Sequence, residues 1–257
     1  MRITFLGTGT SHGVPVIGCD CPACASDDPR DVRRRCALFV EAAGRKLLVD
    51  TPPDLRDQAL RFGVRHVDAV FLTHPHADHV FGFDDVRRFS SMQRARLPVY
   101  GSPETMRRMR VVFDYVERAS HSFGGVPRVR FVELTDSVDV GGVRVTPLPV
   151  PHGPEDAAYG FRFDADGRAI AYVPDCSDLP EAVLDRLAGL DVMILDALRP
   201  RPHPTHLCTD QSLALLRRID AKRSFVVHLA HDLVHRELVE RVAPDAEVPY
   251  DGLRVAP

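Results

Sequence analysis

The chain has 257 residues, 44% of them hydrophobic and 27% charged, enough to bury a sizeable core and too apolar for a disordered polymer. No apolar run approaches the ~18 residues of a membrane span. With 33 basic against 36 acidic side chains the formal charge is −3, short of the basic excess that long nucleic acid demands, so neither a membrane nor long nucleic acid is expected as a partner.

In chain order, short apolar runs predict strands at 3–6, 37–41, 46–50, 69–73, 99–100, 129–132, 143–148, 159–163, 169–173, 192–196, 225–227 and 254–255. Amphipathic stretches between them, several opened by Pro or Asp, predict helices at 53–62, 83–90, 103–115, 179–187, 210–219 and 233–242. The pattern is that of a mixed α/β chain. No low-complexity linker divides it, so a single domain over 1–257 is expected. The opening segment has no apolar region of the secretory kind, and a cytoplasmic location is expected. The longest irregular stretch, 7–35, is rich in Gly, Pro, Cys and Asp, and a loop of that length needs a function or a pin.

Cysteine and histidine placement suggests the pin. Cys19, Cys21 and Cys24 crowd together while Cys36, Cys176 and Cys208 are scattered, which favours a metal site over disulfides. Of 12 histidines, seven fall in three groups: His74, His76 and His79; His203 and His206; His228 and His231. Neutral imidazole is the commonest metal ligand, and such grouping is what a metal site requires. The sharpest motif is Thr73-His74-Pro75-His76-Ala77-Asp78-His79, placed directly after the apolar run at 69–72. Four candidate ligands on a loop at a strand's end can point in two directions and serve two neighbouring ions.

On these residues the chain resembles the metallo-β-lactamase superfamily. The resemblance implies a four-layer αββα sandwich and extends to His152 in Pro151-His152-Gly153, Asp175 in Pro174-Asp175-Cys176, and His228 after the strand at 225–227. By analogy His74, His76 and His152 hold one divalent ion, Asp78, His79 and His228 hold a second, and Asp175 bridges them. Asp50 resembles the family's supporting acid, which orients the loop histidines. Pro52 stands where the family often has glycine.

The segment Gly7-Thr8-Gly9-Thr10-Ser11-His12-Gly13-Val14-Pro15, followed by Cys19-Asp20-Cys21-Pro22-Ala23-Cys24, is similar to the PhnP-like branch of phosphoribosyl cyclic phosphodiesterases. That likeness implies a structural zinc on Cys19, Cys21, Cys24 and His231, tying a loop at about 8–35 to the C-terminal part of the chain. His206, in Pro204-Thr205-His206-Leu207, matches the branch's candidate general acid, and His12 stands where the branch usually has glutamine. The implied function is hydrolysis of a small cyclic phosphodiester, of the phosphoribosyl 1,2-cyclic phosphate or 2′,3′-cyclic nucleotide type. A metal-bound hydroxide, on two zinc or manganese ions, would attack phosphorus, with Asp78 a ligand in the catalytic centre and His206 protonating the departing oxygen.

The alternatives are an RNA 3′-processing endonuclease, a thioester or lactone hydrolase, and a non-hydrolytic biosynthetic accessory protein. A homodimer is expected by base rate. Arg33-Arg34-Arg35 reads as a solvated charge run and His203 as a surface residue. His66, His121 and His235 read as structural or exposed, and Cys36, Cys176 and Cys208 as small apolar residues.

Overall fold

The computed structural model describes residues 1–118, 125–153 and 157–257. The first half contains strands β1 (Arg2–Gly7), β2 (Ala37–Ala42) and β3 (Arg45–Val49), then α1 (Leu55–Phe62), β4 (Ala69–Phe71), α2 (Ala77–Val80), α3 (Val86–Gln93), β5 (Leu97–Gly101), α4 (Pro103–Val112) and β6 (Val129–Glu133). The second half contains β7 (Val138–Asp139), β8 (Arg144–Pro151), β9 (Ala157–Ala165), β10 (Arg168–Val173), α5 (Glu181–Leu184), β11 (Val192–Asp196), α6 (Thr209–Ile219), β12 (Arg223–Val227), α7 (His235–Val242) and β13 (Arg254–Val255).

One α-helix and one strand go beyond the sequence expectation. Helix α2 is a single turn inside the histidine loop, and β7 is two residues long; neither is long enough to carry a hydrophobic period. The helix expected at 103–115 starts where Ser102 accepts a hydrogen bond from the Thr105 N–H and Pro103 occupies the first turn. It stops at Val112, and a separate 3₁₀ turn, Asp114–Val116, follows.

The strands form a seven-stranded sheet ordered β13-β1-β2-β3-β4-β5-β6 and a six-stranded sheet ordered β12-β11-β10-β9-β8-β7. Side-chain alternation sorts each strand's residues between two layers. In β4, Ala69 and Phe71 face the inter-sheet core with Phe5, Phe161 and Phe225, whereas Val70 faces the layer holding Leu55, Phe89 and Met106 of α1, α3 and α4. In β11, Ile194 joins the inter-sheet core, while Met193 and Leu195 pack against Leu213, Leu216 and Leu238 of α6 and α7. Three apolar layers thus separate four structural ones, giving the αββα sandwich. Among the described residues no helix is long and apolar enough to cross a membrane.

Parallel pairing aligns the ends that matter. β3, β4, β5 and β6 run parallel to one another, as do β10, β11 and β12. The register Val49↔Phe71 places Asp50 beside Thr73, and Asp196↔Val227 places Asp196 next to His228. Carboxyl ends of parallel strands are where α/β folds gather polar groups.

The Arg33-Arg34-Arg35 run is not solvated, contrary to expectation. The Arg33 side chain is 0% exposed, paired with Asp31 at 3.0 Å, and donates to the carbonyls of Ala230 at 3.0 Å and Leu233 at 2.6 Å. Arg34 engages Asp57 and Asp251, and Arg35 engages Asp54 and the Ser11 carbonyl. The physical reason is that the buried Ala230 and Leu233 of the 230–233 turn offer carbonyls that need donors, and a guanidinium supplies several in one plane. Burial draws the Arg33 pKa down while Asp31 opposes the shift. Arg33 thereby fastens the long N-terminal loop to the segment carrying His228 and His231.

Replacing Arg33 with methionine strands the buried Asp31 carboxylate, and the unfolding midpoint in urea should fall by the equivalent of about 3–5 kcal/mol. Adding Asp31→Asn should restore part of that loss. An unchanged midpoint for Arg33→Met would show that the buried pair contributes nothing.

Candidate active site

The histidine loop begins where β4 ends. Pro75 blocks helix formation through His74–His76, so that stretch stays open and His76, with φ −66° and ψ 150°, caps α2. One helical turn then carries Asp78 and His79. An open stretch followed by a turn is what sends the ligand atoms two ways.

All seven residues singled out from the sequence come together. His74, His76 and His152 form one group with ligand atoms within 4.8 Å of one another, and Asp78, His79 and His228 form another. Asp175 lies between them: its Oδ2 is 3.2 Å from His79 Nε2, and its Oδ1 is 3.2 Å from His228 Nε2 and 3.9 Å from His152 Nε2. His74, His79, His152, Asp175 and His228 are buried, whereas His76 is exposed.

Most of the imidazoles are anchored through Nδ1. His79 Nδ1 lies 2.8 Å from Asp50 Oδ2, His152 Nδ1 3.0 Å from the Thr205 carbonyl, and His74 Nδ1 3.0 Å from Thr73 Oγ1. Asp50 also accepts from the Thr73 N–H at 2.8 Å. Anchoring one ring nitrogen leaves Nε2 as the ligating lone pair. Nε2 of His74, His79 and His228, together with Asp175 Oδ2, are buried with no hydrogen-bond partner. Buried polar atoms rarely go unpaired, and four such acceptors in one cluster match a divalent cation with nitrogen and oxygen ligands. The residues therefore fit a binuclear metal site.

The electrostatics agree. Burial draws His74 well below the usual imidazole range and His152 down to about 4, which keeps both neutral and ligand-competent. Burial opposes a positive charge on His79, but Asp175, Asp50 and Asp78 outweigh it and raise that group well above its usual range. A field that holds a proton there also favours a divalent ion. Burial would raise Asp175, yet His228 and His79 hold its carboxyl far below the ordinary value.

His206 belongs to the same cavity, an opening of about 180 Å³ also lined by Ser11, Gly153 and Thr205. Its ring lies 4.7 Å from those of His152 and His228, and its Nδ1 sits 2.8 Å from Asp196 Oδ2. Asp196 is wholly buried, and burial raises its pKa well above the carboxylate range, with His228 opposing. Asp196 is not among the residues singled out from the sequence. Its signal was available: like Asp50, it is an aspartate at the end of an otherwise apolar strand segment.

The cysteines converge as well. Sγ of Cys19, Cys21 and Cys24 lie 3.2, 3.4 and 3.8 Å from His231 Nδ1. Burial works against it, but hydrogen bonds from Cys24, Cys19 and His231 lower the Cys21 thiol to about 7. Three thiols and one imidazole fit a closed tetrahedral zinc site.

His203 is half-buried rather than superficial; its Nδ1 accepts from the Thr205 N–H and contacts Thr205 Oγ1 at 3.1 Å, bracing the loop beside His206. His66 is exposed beside Asp68, His12 is exposed, and His235 is buried with its N–H on Asp31. His121 lies outside the described residues. Cys36, Cys176 and Cys208 are buried.

Comparison with known proteins adds four findings. The beta-lactamase superfamily domain matches residues 45–229. An octanoyltransferase of Porphyromonas gingivalis is 33% identical over 98% of this chain and 51% of its own length, so the chain spans about half of that relative. Coenzyme PQQ synthesis protein B of Methylobacterium nodulans is 32% identical over 76% of this chain and 72% of its own. Among solved structures, a diphosphatase from the PhnP family is 39% identical with a TM-score of 0.90, over 99% of this chain and 97% of that one. The chain belongs to the metallo-β-lactamase hydrolase superfamily, on its PhnP-like branch.

Proposed function

We propose that the chain is a binuclear metal-dependent phosphodiesterase acting on small cyclic phosphodiesters, of the phosphoribosyl 1,2-cyclic phosphate or 2′,3′-cyclic nucleotide type. The observation that carries this reading is His206, held by Asp196 and lining the cavity beside the histidine and aspartate cluster. Ring opening of such an ester expels an alkoxide, which needs a proton as the P–O bond breaks, and an oriented imidazole supplies one.

His74, His76 and His152 would hold one ion, Asp78, His79 and His228 a second, with Asp175 between them. When bound, zinc or manganese ions supply Lewis-acid polarisation of the phosphoryl group and make hydroxide available near neutral pH. The chain's own residues do the rest. Asp50 fixes His79, and the Thr205 carbonyl fixes His152, so that neither ring can rotate out of register. Asp196 fixes the orientation of His206, whose imidazolium would pass its proton to the departing oxygen. Cys19, Cys21, Cys24 and His231 would hold a separate structural zinc, which with Arg33 braces the wall of the site.

A second reading is hydrolysis of a diphosphate. It is favoured by the 39% identity, across nearly the whole of both chains, with the PhnP-family diphosphatase. The two readings share attack at phosphorus and differ in the leaving group.

Phosphorus NMR on metal-replete protein, with ribose 1,2-cyclic phosphate, a 2′,3′-cyclic nucleotide and a dinucleoside diphosphate in separate tubes, separates them. Ring opening of a cyclic ester faster than anhydride cleavage is expected; the reverse order selects the diphosphatase reading. His206→Ala should lower turnover of the cyclic alkyl ester by about 10²–10⁴-fold and that of bis(p-nitrophenyl) phosphate far less. Equal losses on both would sink the general-acid role.

Elemental analysis should find an ion for each histidine and aspartate group and one for the cysteine group. Cys21→Ser should remove zinc from the cysteine group and leave the other ions in place. Full activity with one histidine group empty would overturn the binuclear assignment.

A further inference from the structure

Helices α1 and α3 lie side by side on the outer face of the seven-stranded sheet and leave a groove of about 600 Å³ between them. None of its lining residues belongs to the catalytic cavity. Its walls are aliphatic: Leu60 is 67% exposed and Met92 44%, over a floor that includes Val64 and the buried ring of Phe89. Large apolar side chains left this open on adjacent helices mark a contact surface rather than chance exposure.

The rim is basic. Arg56, Arg65, Arg87 and Arg88 stand around the groove against one lining carboxylate, Asp85. Arg87 is paired with Asp84 at 3.0 Å. Arg56, Arg65 and Arg88 form no ion pair with any described residue. In a chain of net charge −3 this is a local reversal of sign.

We infer that the α1–α3 groove docks an acidic amphipathic helix from a partner protein. Each flanking helix has eight residues and so runs for ~12 Å, room for the i, i+4 and i+7 apolar anchors of a short helix. Acidic residues flanking those anchors would meet the unpaired guanidinium groups. A second copy of this chain fits less well, because a two-fold contact would bring the same four arginines face to face. Single-stranded nucleic acid is bound largely by stacking on exposed rings, and the groove's aromatic, Phe89, is 4% exposed.

The test uses the full metal-replete chain and a fluorescent 18-residue helical peptide with leucines along one face and glutamates on both flanks. Three comparators accompany it: the same peptide with lysines for glutamates, a 20-nucleotide single-stranded RNA, and sedimentation equilibrium of the chain alone. The glutamate peptide should bind, lose affinity as salt rises, and weaken by about tenfold or more with Leu60→Glu and with Arg88→Glu. The lysine peptide should not bind.

Thermal unfolding of each variant reads its integrity without relying on the proposed catalytic activity, so failure here leaves that activity standing and the converse. Absence of glutamate-peptide binding, or binding indifferent to Leu60→Glu, overturns the inference. So does tighter binding of the RNA, or a dimer that Leu60→Glu dissociates, which would give this face to nucleic acid or to a second copy.

Discussion

Asp50, Asp175 and Asp196 are buried, each at most 2% exposed, within one cluster of imidazoles. A lone buried carboxylate is costly, and here each is committed to histidine: Asp50 to His79, Asp196 to His206, and Asp175 between His79 and His228. Carboxylates only accept, and an imidazole that gives its Nδ1 proton to an acceptor leaves Nε2 as another acceptor. The cluster is therefore rich in lone pairs and poor in donors. That imbalance is what suits the centre to cations, and much of the surrounding architecture serves to hold it in place.

Both sheets contribute. Asp50 and the histidine loop follow β3 and β4 of one sheet, while His152, Asp175, Asp196 and His228 follow or end β8, β10, β11 and β12 of the other. Two of these residues, Asp50 at φ 64° and His228 at φ 61°, hold left-handed backbone unusual for residues with a Cβ. Such conformations persist when the surroundings over-determine them. For His228 those surroundings include the Leu229 N–H on the Thr8 carbonyl at 3.0 Å, the Thr10 N–H on the Leu229 carbonyl at 3.2 Å, and Arg33 on the carbonyls of Ala230 and Leu233. The long N-terminal loop is thus part of the scaffold of the site.

Charge is distributed with similar locality. A net of −3 describes the whole chain, yet acidic groups concentrate in the centre, while basic side chains line the α1–α3 groove. The sum of charges describes no single face of the chain.

Much of the site was legible in the sequence because its signals are local. His74, His76, Asp78 and His79 sit within six residues, and a ligand loop after a buried strand keeps its spacing whatever the rest of the fold does. The alternation of apolar runs and amphipathic stretches likewise announced a mixed α/β chain, since periods of 2 and 3.6 are properties of the chain itself, while the sandwich was implied by the family resemblance. Other features depended on neighbours distant in sequence. Arg33 reads as one of three surface arginines until the turn at 230–233, about 200 residues later, presents the carbonyls that its guanidinium meets. Asp196 looks like the polar end of a strand until register sets it beside His228 and the 2.8 Å contact with His206 gives it a role. Helix α2 is too short to show a period, and the basic groove exists only because α1 and α3 pack side by side. The sequence by itself determined which residues could bind metal and which runs would be buried; pairing register and loop closure decided which acid orients which histidine, because those contacts join segments that composition and spacing cannot relate.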